Sequence, residues 1–278
     1  MSIEEQLKKK CFVIGCPISH SFSPLVHNVV LEALGLSTHF SFDALEVKKE
    51  DLESTIANMR EKNIYEFSCT LPHKETVVSY LDRIEGVATR IGAVNTVINN
   101  NGELVGYNTD LAGVVEPFKK RLTLKGKNVL LLGAGGAARA AAFGFVAEGC
   151  HLTISNRTFE KAKKLASDVN AETLLWENRE AEAKNFDIIF NATSVGFVEN
   201  EFSPLSPLAF NKNQVVCDAI YNPYDTQFLK NASLAGCEII HGTEMFIEQA
   251  AQQILLYAGV DAPRKIMMDA LMENLCKR

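Results

Sequence analysis

The sequence predicts an α/β protein of two domains, and three observations carry that reading. The first is a four-residue apolar run, Val129-Leu130-Leu131-Leu132, that leads without polar interruption into Gly133-Ala134-Gly135-Gly136-Ala137-Ala138. An alanine-rich stretch follows as far as Ala147 and is closed by Gly149. The second is the alternation of strand-like and helix-like segments on both sides of that stretch, as expected of sheets covered by helices. The third is Asn99-Asn100-Asn101-Gly102 between two apolar runs. This hairpin signal puts antiparallel neighbours into an otherwise parallel N-terminal sheet.

Length and composition set the bounds. At 278 residues the chain has room for two cores. Its formal net charge of -6 disfavours a nucleic-acid or membrane-surface binder. Met1 to Lys10 is charged and lacks the apolar centre of a secretory signal, and Lys8-Lys9-Lys10 reads as a solvated tail end. Arg139 and Glu148 interrupt the best candidate for a membrane span. The seven cysteines, Cys11, Cys16, Cys69, Cys150, Cys217, Cys237 and Cys276, are irregularly spaced and form no C-x-x-C pair. Reduced, mostly buried thiols in a cytoplasmic protein are expected, with no metal site.

Phe12 to Gly15 reads as the first strand. Ser21-Phe22-Ser23-Pro24 then precedes a helical pattern from Leu25 to Leu34, stopped by Gly35. Ser23 suits an N-cap and Pro24 the first helical position. Capping alone accounts for Ser23 but not for Ser21; two hydroxyls beside a helix N-terminus make a neutral cradle for a small carboxylate. His39 to Leu45 alternates as a strand, and Lys48 to Lys62 is an amphipathic helix with Leu52, Ile56 and Met59 on its apolar stripe. Ile64 to Phe67 is a strand that runs into Ser68-Cys69-Thr70-Leu71-Pro72-His73-Lys74. Thr70 and Lys74 therefore lie at a strand's carboxyl end, where ligands bind in such sheets. Lys74 is expected to open a short helix, whose dipole would lower its proton affinity and suit it to proton transfer. Ile91 to Ile98 and Leu104 to Asp110 form the hairpin arms, with Asn95 and Asp110 as polar candidates at the open end. Asp110 is equally explained as a cap of the helix from Leu111 to Leu122.

Strand, glycine turn and helix are the context a dinucleotide fingerprint requires, although a plain connection explains such a turn equally well. In a fingerprint Gly133 makes the turn, Gly135 lets the backbone approach a pyrophosphate, and Ala138 allows close packing of the helix, whose free N–H groups face the phosphates. His151 to Ser155 is the next strand. About twenty residues past the glycines an NAD site carries an acid for the ribose 2′-hydroxyl. Here that place holds Asn156-Arg157-Thr158, with Lys161 one turn later. A carboxylate repels a 2′-phosphate and a guanidinium binds it bidentately, so NADP is expected rather than NAD. Helix Phe159 to Val169 and strands Glu172 to Leu175, Asp187 to Phe190 and Val215 to Tyr221 continue the pattern. Helix Thr226 to Ala235, strand Glu238 to Ile240, helix Glu244 to Tyr257 with Gln249, and helix Ala262 to Cys276 complete it. Asn191-Ala192-Thr193-Ser194 forms a small polar turn where a nicotinamide ribose would pass.

Taken together the chain resembles the shikimate dehydrogenase family over nearly its whole length. The resemblance rests on Ser21 to Pro24, Thr70 to Lys74, Gly92 to Thr96, Gly106 to Asp110, Gly133 to Ala137, Asn156 to Thr158, Asn191 to Ser194, Asp218 to Pro223 with Tyr221, and Gly242 with Met245 and Gln249. It implies two domains with a cleft between them: an N-terminal α/β substrate domain with a mixed sheet, residues 1–110 plus 244–278, and a Rossmann-like NADP-binding domain, residues 111–243. It implies reduction of 3-dehydroshikimate to shikimate with NADPH in aromatic amino acid biosynthesis. Lys74 would be the catalytic acid and base with Asp110 as its partner. Ser21 and Ser23 would hold the substrate carboxylate, and Thr70, Asn95, Asp110, Tyr221 and Gln249 its hydroxyls and ring. Gly133, Ala134, Gly135, Gly136, Ala137, Asn156, Arg157, Thr158, Lys161, Thr193, Ser194, Ala219 and Gly242 would line the cofactor. A monomer or homodimer is expected. Ser68 and Cys69 stand where the family usually has Asn and Val, Phe246 replaces a usual Leu, and Glu244 and Glu248 add acid near Gln249. These departures put substrate preference in question and leave a quinate/shikimate dehydrogenase of broader range as the nearest rival. A non-catalytic NADP-sensing regulator would not need both Lys74 and Asp110.

Overall fold

A computed structural model describes residues 8–62, 64–197 and 202–275. Cys276 and the charged start before Lys8 lie outside the described residues. The chain divides into two compact units. One comprises the described residues up to Thr109 and those from Gln249 onward; the other is Asp110–Glu248.

The first unit contains β1 (Lys9–Gly15), α1 (Ser23–Ala33), β2 (Phe40–Glu46), α2 (Leu52–Glu61), β3 (Glu66–Cys69), β4 (Arg83–Ile84), β5 (Thr96–Asn100) and β6 (Glu103–Tyr107). The strands form one mixed sheet in the order β2-β1-β3-β5-β6-β4. β1 runs parallel to both β2 and β3, whereas β5 is antiparallel to β3 and β6. The antiparallel pair is the expected hairpin: Asn100 faces Glu103 across a two-residue turn in which Asn101 and Gly102 take φ of 55° and 100°. Both residues tolerate that left-handed conformation and match the strand twist. Leu52, Ile56 and Met59 bury their stripe against Ile14, Phe67, Cys69 and Val97 on one sheet face. The opposite face carries Glu66, Ser68 and Thr96, since Ser68 pairs with Thr96 and Glu66 lies two residues before it.

Three local expectations for this unit change. Lys9 and Lys10 are exposed, as a solvated tail end would be, but they belong to β1, and Lys9 Nζ sits 3.9 Å from the centroid of the Tyr65 ring. The strand expected from Ile91 begins only at Thr96, because Ala88–Ile91 forms a single helical turn capped by Gly92 in the left-handed conformation. Lys74 opens no helix; it lies in the turn ahead of a five-residue 3-10 helix, Thr76–Tyr80, so the dipole argument for it loses its basis.

The second unit contains α3 (Asp110–Lys119), β7 (Asn128–Leu132), α4 (Gly136–Ala147), β8 (His151–Ser155), α5 (Phe159–Val169), β9 (Glu172–Leu174), β10 (Ile188–Asn191), β11 (Val215–Asp218), α6 (Gln227–Leu234) and β12 (Glu238–Ile240). Its sheet is parallel throughout in the order β12-β11-β10-β7-β8-β9. Strand order reverses between β7 and β10, the switch point at which doubly wound sheets bind nucleotides. The unbroken apolar strand Val129–Leu132 is fully buried, as a strand covered on both faces must be. Leu130, Leu132, Ile189 and Val216 pack with Phe210 and Phe228. Phe145 stands edge-on to Phe118 and Phe190 at centroid distances of 5.3 and 6.0 Å. Gly144 brings α3 and α4 together, since a Cβ there would meet Val115 Cγ2 at 2.8 Å.

One continuous helix, α7 (Gly242–Ala258), contributes Gly242–Glu248 to the second unit and the rest to the first. Gly259 ends it with φ 71°. The last helix, α8 (Arg264–Leu275), packs against α1.

Candidate active site

The polar candidates of the first unit gather at one edge of its sheet, at the ends of β1 and β3, the start of β5 and the end of β6. Ser21 Oγ donates to Ser23 Oγ at 3.2 Å and accepts the Ser23 N–H at 3.3 Å. The two hydroxyls therefore form one cluster at the head of α1. Ser23 is the first helical residue and not the N-cap; Phe22 holds that position without a side-chain capping hydrogen bond, and Ser21 Oγ takes the first helical N–H instead. The capping role that the local sequence suggests for Ser23 is therefore not used.

Thr70 sits directly over Gly15. A Cβ at Gly15 would lie 2.5 Å from Thr70 Cγ2 and 2.9 Å from the Leu71 carbonyl oxygen, so only glycine lets this loop close down on β1. Fully buried His73 donates its Nε2–H to the Val47 carbonyl at 2.7 Å, which pins the turn holding half-buried Lys74. The Lys74 carbonyl in turn accepts the Val94 N–H at 2.8 Å.

Asn95 is the centre of a buried network. Its Oδ1 accepts the Thr109 N–H at 2.8 Å and the Thr96 hydroxyl at 3.0 Å, and its Nδ2 donates to Thr109 Oγ1 at 2.8 Å. Gln249 Oε1 lies 3.5 Å from the same nitrogen, so two candidates 154 residues apart in the chain meet. Asp110, buried and the first residue of α3, follows Thr109 directly.

The Ser68 departure has a local complement. Ser68 donates to Glu66 Oε1 at 2.6 Å, and both residues are buried. Burial in apolar surroundings pushes the Glu66 carboxyl up to about 8, and the Ser68 hydrogen bond pulls the other way. His27, stacked on Phe42 at 3.9 Å and bonded to Tyr257 through Nδ1 at 3.0 Å, is pushed down to about 3 by burial and is neutral.

The nucleotide candidates of the second unit follow the fingerprint. Gly133 has φ 117°, and a Cβ on it would strike the Ala192 carbonyl oxygen at 2.8 Å, so two constraints require glycine. Gly135 differs: its φ of -92° suits any residue, and a Cβ there would point into open space. A free approach path, not backbone strain, is what this glycine provides. It precedes α4, whose first turn has no side-chain cap. The residues therefore fit a pyrophosphate at that helix end. Arg157, Thr158 and Lys161 are exposed beyond the end of β8, and Asn156 bonds to the Thr158 carbonyl at 2.9 Å.

The Thr193-Ser194 turn is held from below. Asn191 Oδ1 accepts from the Thr193 N–H at 3.1 Å and hydroxyl at 2.7 Å, and its Nδ2 donates to Asp218 at 3.1 Å. Asp218 also accepts from Thr226 at 2.7 Å and from the Ile220 N–H at 3.0 Å. Burial raises its carboxyl to about 7 against those hydrogen bonds. Gly242 is required by packing, since a Cβ would lie 2.3 Å from the Ile220 carbonyl oxygen.

Two models match the chain, described as the shikimate dehydrogenase substrate binding domain over residues 13–97 and shikimate / quinate 5-dehydrogenase over residues 116–198. The shikimate dehydrogenase (NADP(+)) of Nitrosopumilus maritimus is 43% identical over 269 residues, covering 94% of this chain and 97% of that protein. The chain belongs to the shikimate dehydrogenase family. The Bacillus cereus (strain G9842) shikimate dehydrogenase (NADP(+)) is 39% identical over 261 residues, with 91% and 94% covered. The Thermus thermophilus shikimate 5-dehydrogenase, solved with NADP(H) and shikimate, superposes with a TM-score of 0.88 at 34% identity, covering 95% of this chain and 99% of that one.

Within this family framework the other departures also find partners. Phe246 stacks on Tyr221 at 4.4 Å and 22°, so the larger ring supports the tyrosine face. Glu244 is paired with Arg121 at 2.8 Å and Glu248 with Lys120 at 2.5 Å, which balances the acid expected near Gln249. Sequence reading passed over Glu66, Thr96, Gln253 and Thr226 as contributors. A lone glutamate or glutamine in an apolar pattern carries no signal until its neighbours in space are known. Among the described residues the cysteines are free, and burial raises the thiols of Cys150 and Cys237 to about 11 and those of Cys11, Cys69 and Cys217 further. No helix among them is long and apolar enough to cross a membrane, and no group of three or more His, Cys, Asp or Glu is placed to hold a metal.

Proposed function

We propose that the chain catalyses the reversible NADPH-dependent reduction of 3-dehydroshikimate to shikimate, a step of chorismate and aromatic amino acid biosynthesis. The observation that carries this reading is near full-length likeness to NADP-dependent shikimate dehydrogenases, with every polar residue of the substrate pattern present. When bound, the nucleotide supplies or accepts the hydride. Gly133 to Ala137 would hold its pyrophosphate at the head of α4, with Thr193, Ser194, Ala219 and Gly242 beside its remaining parts. Arg157 and Lys161 would take the 2′-phosphate, an anion that they neutralise and that an acid at this place would repel.

On the substrate side Ser21 and Ser23 would donate two hydroxyl hydrogen bonds to the carboxylate. Thr70, Asn95, Tyr221 and Gln249 would hold hydroxyls and ring. Lys74 gives a proton to the carbonyl oxygen as it becomes the C3 hydroxyl, and takes it back in the reverse direction. Asp110 would bond the same hydroxyl and orient the amine.

NADPH formation from shikimate and NADP, followed by absorbance, tests the reading directly, with quinate and NAD as competing arms. Turnover with shikimate and NADP is expected to dominate; equal or faster turnover of quinate with NAD would shift the assignment to the broader rival. Lys74→Ala should lower kcat at least about a thousandfold while the KM for shikimate moves little. Normal turnover with weakened binding would remove Lys74 from proton transfer.

A further inference from the structure

We infer that Thr96 and Gln253 are positioning residues that lock the orientation of the Asn95 carboxamide. The inference rests on the proposed role of Asn95 as a substrate contact.

The orientation of an amide is ordinarily a matter of assignment. Here it is determined by the backbone. The Thr109 N–H can only donate, so the Asn95 atom 2.8 Å away must be the carbonyl oxygen. The Thr96 hydroxyl donates to the same oxygen at 3.0 Å and itself accepts from Gln253 Nε2 at 3.1 Å. That nitrogen also lies 3.5 Å from the Asn95 main-chain carbonyl, which can only accept, so the Gln253 amide is oriented too. Both lone pairs of Asn95 Oδ1 are thus used by the protein. Nδ2 donates to Thr109 Oγ1 at 2.8 Å and lies 3.5 Å from Gln249 Oε1.

The relay is dry. Asn95, Thr96, Thr109 and Gln253 are all at most 5% exposed. Turning the Asn95 amide over would set its NH2 against the Thr109 N–H, two donors facing each other in a buried place. Gln253 stands one helical turn beyond Gln249 on α7, so a single helix face supplies both the proposed ligand residue and the group that braces its neighbour.

Steady-state kinetics of Thr96→Val, Thr96→Ser and Gln253→Met, beside Asn95→Ala, test this. Thr96→Val keeps the shape and removes the hydroxyl. It should raise the KM for shikimate about tenfold, as loss of one buried hydrogen bond implies. Its kcat should change less than about threefold and its KM for NADP should not move, because the lost contact is shared by ground and transition states. Thr96→Ser should restore the KM. Gln253→Met should reproduce the rise and serves if Thr96→Val fails to fold. If the Thr96 and Gln253 variants keep the wild-type KM while Asn95→Ala raises it, the relay idea is wrong and the role of Asn95 survives. If Asn95→Ala leaves the KM unchanged as well, both fall. A loss of kcat that serine does not rescue would make Thr96 merely structural and overturn the inference.

Discussion

Replacing Glu66 by glutamine should change how stability depends on pH more than it changes stability at any one acidic pH. Glu66 is fully buried on β3; its Oε1 accepts the Ser68 hydroxyl, and its Oε2 has no hydrogen-bond partner among the described residues. Burial raises the carboxyl from its ordinary 4.5 to about 8. The group therefore binds its proton more tightly folded than unfolded. Its contribution is fully present below pH 4.5 and is lost as pH rises toward 8, because the unfolded chain ionises first. A span of roughly 3.5 pH units at about 1.4 kcal/mol each gives a loss of roughly 5 kcal/mol. Glu66→Gln does not titrate. Near pH 5 the variant should lie within about 1 kcal/mol of wild type, since the amide oxygen still accepts from Ser68. By pH 8 it should be the more stable protein by several kcal/mol. Urea unfolding of both proteins at half-unit steps from pH 5 to 8.5 measures the difference. Asp218 and His27 titrate alike in both, so they cancel. Parallel curves, with a constant offset across that range, would mean the carboxyl ionises normally and would refute the argument from burial.

Other outcomes follow from single contacts. Arg157→Ala should raise the KM for NADPH at least about tenfold and leave NADH almost untouched, which steady-state titration of both nucleotides reads; equal effects on the two would remove the 2′-phosphate role. Gly133→Ala must accommodate φ 117° and a 2.8 Å approach to the Ala192 carbonyl, and should lower stability by about 2–4 kcal/mol in thermal melts. Gly135→Ala meets no such obstacle and should melt within about 0.5 kcal/mol of wild type, yet bind NADPH several-fold more weakly in a fluorescence titration, the added methyl standing in the approach path.

Much of the fold could be read from short stretches. The run from Val129 to Ala147 specifies β7, its glycine turn and α4 through local terms alone: uninterrupted apolar residues, glycine where φ is positive, and alanine where a helix is needed. Asn101-Gly102 likewise specifies the β5–β6 hairpin, because a two-residue turn with both φ values positive accepts few other pairs. Short segments whose ends are set by tertiary contacts were read less well. The turn at Lys74 looks like a helix start until His73 is seen bonded to Val47, and Ser23 looks like a cap until Ser21 supplies the hydrogen bond. The candidate site was legible as a set of ordered motifs resembling a known family, although no motif says which amide braces which.

By itself, then, the amino-acid order determined where the longer strands and helices and the β5–β6 turn form, that an Arg rather than an acid stands past β8, and which side chains are chemically competent. Only the tertiary structure decided that Glu66 complements a shortened Ser68, that Phe246 lies flat on Tyr221, and that Asn95 is shared among Thr96, Thr109, Gln249 and Gln253. The division has a physical cause. Backbone preferences act over a few neighbouring residues and leave a trace in spacing. A buried hydrogen bond between groups more than 150 positions apart depends on chain closure, and nothing local announces it.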